Sequence, residues 1–190
     1  MLLFYPGISL GFNENPSALL KGLNEGTRIV LLVSTIVMQW SLFSLIYLAV
    51  FREGTSLLGI GLRRFRWIDA GWALAFLLGS NLILSGAAWL LGQIGLPMMG
   101  EVGLLVPEEL FGKILWVGVS FTAGFCEEIM FRGYLMTRLR LVGRLPNWLW
   151  PTVISAVAFG VCHSYQGWPG LIIITIYGVL FSLLYIRTGS

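Results

Sequence analysis

The stretch GFCEEIMFRGYL, residues 124–135, sets two glutamates and an arginine inside a run otherwise suited to a lipid bilayer. The rest of the chain shows that the setting is a membrane. Of its 190 residues, 57% are hydrophobic and only 11% are charged, and the mean hydropathy is +0.84. Soluble domains carry about a quarter charged residues. The composition therefore describes an integral, multi-pass membrane protein: an all-α, polytopic bundle of transmembrane helices. At roughly 20 residues per span there is room for about five or six. A formal net charge of +3, with basic residues at span ends rather than in a patch, excludes a nucleic-acid partner.

Five apolar segments stand out around the opening stretch, at 28–51, 68–94, 111–137, 148–165 and 169–187. The fourth is short. Basic residues alternate between the connections: Arg52, Arg63, Arg64 and Arg66 after the first, Arg138, Arg140 and Arg144 after the third, Arg187 in the fifth segment's last turn. The loop after the second segment has Glu101, Glu108 and Glu109 and no basic residue. This pattern puts the loops after segments one, three and five in the cytoplasm and the N-terminus outside; in a bacterium the location would be the inner membrane. Trp67, Trp148, Trp150 and Trp168 fit interfacial anchors. MLLFYPGISLGFNENP at the N-terminus lacks a basic leader and is broken by Pro6 and Gly7, so it does not read as a cleavable signal.

A charge inside the membrane is costly and points to function or to a named partner. Glu128 and Arg132 are four apart, acid first, which is the favourable order for an ion pair within one helix. Glu127 points about 100° away and is left to face something else. The single histidine, His163, closes FGVCH at residues 159–163. At about 1.5 Å per residue, Glu127 lies about 16 Å from Arg138 and His163 about 22 Å from Trp148. Both depths fall near the middle of a core about 30 Å thick, so a cavity shared by Glu127 and His163, with polar atoms roughly 5–7 Å apart, is expected. A carboxylate that takes a proton from water, faced by an imidazole that orients the water or steadies an oxyanion, makes a hydrolytic site. Ala123 and Gly124, one turn earlier, leave room for water or substrate, or else allow close helix packing. Cys126 and Cys162 read as apolar filler, and Glu108–Glu109 as acids favoured at a helix N-terminus.

EEIMFRG resembles the EExxxR motif, and FGVCH the FxxxH motif, of the CPBP family: CAAX proteases and bacteriocin-processing enzymes, also called the Abi family of intramembrane proteases. The resemblance covers residues 110–190, which it implies to be a catalytic core; residues 1–109 are an N-terminal region with two transmembrane helices. It implies that Glu127 activates water, that His163 assists, that Glu128 and Arg132 orient the site, and that Phe159 lines it. The substrate implied is a peptide or protein in or at the bilayer, a CAAX-type tail or leader peptide. The family's third motif, a histidine followed four residues on by asparagine or another polar residue, has no counterpart here. The chain is therefore expected to continue past Ser190 into a further span that supplies it, and to be nearly inactive without it. No cofactor is favoured. A zinc ion would have Glu127 and His163 as ligands, but catalytic zinc usually takes three protein ligands, often from HExxH, which this chain lacks. Two other readings stand beside the protease: a non-catalytic bacteriocin-immunity or membrane scaffold protein, and a proton-coupled transporter, disfavoured because no internal repeat is found.

Overall fold

The computed structural model describes residues 23–98 and 106–190, with Tyr165 described in its backbone only. The N-terminal stretch and Glu101, both discussed above, lie outside these residues. The described chain is helical, without strands. Helix α1 spans Glu25–Arg52, α2 Trp67–Gln93, α3 Leu110–Glu128, α4 Thr137–Val142, α5 Leu149–Cys162 and α6 Gly167–Thr188. A π-helical stretch, Ile129–Met136, joins α3 to α4 without a break, giving one helical rod of 33 residues. Among the described residues, α1, α2, this rod and α6 are long and apolar enough to cross a membrane. Helix α5 has 14 residues, about 21 Å, well short of a bilayer core about 30 Å thick. The protein is a helical membrane bundle, and four of the five expected spans have full length.

The ends of the helices sort as the charge pattern requires. Arg138, at the end of the third segment, ion-pairs with Glu53 and hydrogen-bonds Thr55 Oγ1 at 3.1 Å, both just beyond α1. Tyr134 donates to Glu53 Oε1 at 3.0 Å. Arg63 forms a forked pair with Asp69 (2.7 and 2.8 Å) and reaches the carbonyl of Thr188 at the end of α6. The ends of segments one, three and five thus gather at one arginine-rich end of the bundle. At the other end, Asn24 caps α1 by accepting from the Thr27 amide at 2.8 Å. Glu25 accepts from the amides of Glu108 and Glu109, so the starts of α1 and α3 are tied together. Glu108 and Glu109 are exposed, and Glu109 is the N-cap of α3.

Packing is closest between α5 and α6 and between α1 and α3. The buried residues of α1, Leu32, Thr35, Gln39, Ile46 and Val50, recur at steps of three, four and seven residues, the stripe of a helix facing one neighbour. Ile46 and Val50 form a core with Ile60 and Ile129, walled by Phe43, Leu57, Phe125 and Met130. Ile60 belongs to a 3-10 turn, Leu57–Ile60, tucked beneath the π stretch. Contact there is so close that a Cβ on Gly133 would sit 2.6 Å from the Ile60 carbonyl oxygen. On the other side, Gly160 and Gly178 let α5 and α6 meet: a Cβ on Gly160 would lie 2.0 Å from Thr175 Oγ1.

Candidate active site

The site grows from the point where α3 becomes π-helical. Wider i→i+5 turns inside α-helices are rare and recur at functional sites. They also disturb the regular pairing of backbone carbonyls, which in a bilayer must find donors within the protein. Here hydroxyl groups supply them. The fully buried Ser155 of α5 donates to the Phe131 carbonyl at 2.9 Å, and Thr137 donates to the carbonyls of Gly133 and Tyr134.

Arg132 sits in this stretch with no exposed surface. Its Nη1 lies 2.9 Å from Glu128 Oε1, the expected pair four residues apart. The pair is lopsided, because the Glu128 side chain keeps 32% of its surface. Nη2 donates to the Gly178 carbonyl of α6 at 3.2 Å. The guanidinium also lies over the rings of Phe159 (4.4 Å) and Phe181 (5.1 Å), where its charge meets the negative ring face. One side chain therefore joins the π stretch to α5 and α6.

Phe159 carries the network onward. Its buried ring stands edge-on to Phe131, with centroids 5.1 Å apart, and to His163 at 4.7 Å. His163 is the C-cap of α5 rather than part of its interior, and its Nδ1 lies 2.8 Å from the Phe159 carbonyl oxygen. A carbonyl can only accept, so Nδ1 carries a proton and Nε2 of the neutral ring is an acceptor.

Glu127, the last but one residue of α3, turns toward α1. Gln39 Nε2 donates to its Oε1 at 3.1 Å. Beside them is a cavity of about 10 Å³, lined by Gln39, Leu42, Cys126, Glu127 and Met130. His163 is tied to the Phe159–Arg132 cluster and is not among the residues that line this pocket. Gly124 is exposed, and a Cβ placed on it would meet nothing within 4 Å, so it leaves open space rather than a helix contact. Among the described residues no three His, Cys, Asp or Glu side chains come together as a metal site.

Residues 109–190 match the family model described as Type II CAAX prenyl endopeptidase Rce1-like. This segment is similar to that family. The match covers the region in which EExxxR and FxxxH occur and begins at the N-cap of α3. No curated protein and no solved structure matches the chain. The Rce1-like segment does not build the site by itself: Gln39, which holds Glu127, comes from α1, outside the matched residues. Sequence reasoning missed Gln39. Its signal was an amide in the middle of the buried stripe of an otherwise apolar span.

Proposed function

We propose that the protein is an intramembrane endopeptidase of the CAAX-protease type, with Glu127 as the general base. The observation that carries this reading is the Glu127 carboxylate, held by an amide from another helix next to a small cavity in an Rce1-like segment. In the proposed reaction the water oxygen attacks the scissile carbonyl while Glu127 takes a proton from the water. Glu127 then gives that proton to the leaving amine as the C–N bond breaks. His163, with its Nδ1 fixed on the Phe159 carbonyl, assists at the reacting centre. Glu128 and Arg132 hold the π stretch against α5 and α6 and so fix where Glu127 points. The substrate class is a peptide tail or leader at the membrane, CAAX-type tails first among them.

The test is cleavage of a prenylated CAAX-type peptide and of an unprenylated membrane-anchored peptide by the full-length protein, with any residues that follow Ser190, purified in detergent or vesicles. Glu127→Gln keeps the shape but cannot accept the proton, so kcat should fall about 10²–10⁴-fold. Cleavage by Glu127→Gln at the wild-type rate would refute the assignment.

A further inference from the structure

Gln39 is the buried polar group with most left unexplained. It is 4% exposed, in the middle of the α1 stripe that packs on α3. Its Nε2 is used on Glu127, yet its Oε1 is buried with no hydrogen-bond partner among the described residues. A buried amide oxygen without a donor is unfavourable by an amount comparable to a lost hydrogen bond. The cavity lined by this same Gln39 and Glu127 measures about 10 Å³, close to the smallest volume that admits one water molecule, about 10–15 Å³. The rest of the lining is apolar: Leu42, Cys126 and Met130.

We propose that Gln39 is a positioning residue that holds one buried water between its Oε1 and the Glu127 carboxylate, which extends the general-base reading and rests on it. The geometry suits a nucleophile. The water gives one proton to the Gln39 oxygen and the other to the carboxylate that will abstract it. Both of its protons are then committed, and its lone pairs point away from the two acceptors. The Gln39 amide also fixes the other face of the base, because Nε2 holds Oε1 of Glu127 while Oε1 of Gln39 holds the water. The site accordingly spans two regions of the chain, the base in α3 and the device that aims its water in α1.

Two readouts test this, one of them independent of catalysis. Radiolytic footprinting in oxygen-18 water labels side chains next to ordered water, and Cys126 and Met130 are oxidisable sulfur groups in the cavity wall. Wild-type protein should incorporate the label at both, and Gln39→Leu should lose most of it. Equal labelling in the two proteins, or none in wild type, overturns the water site. In the cleavage assay Gln39→Leu should lower kcat about 10²-fold, as for a misplaced reacting group, with KM unchanged. A wild-type kcat overturns the positioning role. Should Gln39→Leu fail to fold, Leu42→Phe fills the cavity with Gln39 intact and should show the same joint loss of label and kcat; retention of both would again overturn the proposal. If instead Glu127→Gln cleaves normally, the general-base reading fails alone, and the labelling still decides whether Gln39 holds a water.

Discussion

Replacing Glu128 by Leu should cost more stability than replacing Arg132 by Met, although the two side chains share one ion pair. Arg132 has no exposed surface, whereas Glu128 keeps 32% of its own. Without Glu128 the guanidinium remains charged and sealed among Phe159, Phe181 and the Gly178 carbonyl. Breaking a buried pair by removing one partner costs roughly 3–5 kcal/mol. The lower end, about 3 kcal/mol, applies here because the Gly178 carbonyl and the Phe159 and Phe181 rings still face the cation. Without Arg132 the remaining carboxylate can take up a proton and become neutral, which a guanidinium cannot do, and the Met side chain keeps the packing of the stem. The loss is then mainly the ring contacts, about 1–2 kcal/mol. For a chain of this size each kcal/mol moves Tm by about 2–4 °C. Intrinsic-fluorescence melting in detergent should therefore show a drop of about 6–12 °C for Glu128→Leu and about 2–8 °C for Arg132→Met. Adding Glu128→Leu to Arg132→Met should cost under about 1 kcal/mol more, since no charge is then left stranded. Strict additivity of the two, or a larger loss for Arg132→Met, would refute the picture of a sealed cation beside an acid that can become neutral.

Three other outcomes are expected from the same contacts. Cys126→Ala and Cys162→Ala should retain most cleavage activity, because neither thiol has a role in the proposed chemistry; a dead cysteine variant beside an active Glu127→Gln would instead indicate a thiol nucleophile. Gly160→Ala would place a methyl group 2.0 Å from Thr175 Oγ1 and 3.0 Å from the Leu171 carbonyl, so it should separate α5 from α6 at a cost of about 1–3 kcal/mol, read as a lower Tm; an unchanged Tm would mean that the helices do not meet there. Cleavage should persist in a strong zinc chelator, since Glu127 and water supply the chemistry; loss of cleavage restored by added zinc would count against a carboxylate-only mechanism.

The apolar runs were legible because long hydrophobic stretches bounded by arginines leave few alternatives to a spanning helix. The segments at 28–51, 68–94 and 169–187 lie within two residues of Glu25–Arg52, Trp67–Gln93 and Gly167–Thr188 at most ends. The third segment was drawn to 137 but runs on to Val142, since the arginines that suggested its end are carried on a last helical turn. The Glu128–Arg132 pair was legible too, because charges four apart in one span have few other places to go. Two features of the site were not. The π stretch has no signature in IMFRGYLM, since the hydroxyls that support its carbonyls lie outside it, on the adjacent Thr137 and on Ser155 of another helix. Gln39 escaped because the search for function followed charge, and an uncharged amide at depth draws no attention until its partner is known. Matching depth along two helices says nothing about azimuth; the contacts each group makes, Gln39 of α1 for Glu127 and the Phe159 ring for His163, came only from the structure.

The π stretch also bears on how sequences like this one can be compared. Widening the turns across Ile129–Met136 changes the rotational phase between α3 and α4. Upstream stand Glu127 and Glu128; downstream stand Tyr134 and Arg138, fastened to Glu53 and Thr55. Deleting one residue within this interval would let α-helical winding resume at about 100° per residue and swing the glutamates around the rod relative to that fastening. A relative aligned with a gap anywhere in these eight positions should therefore not be assumed to present its acids to the same neighbours, even with every motif letter intact.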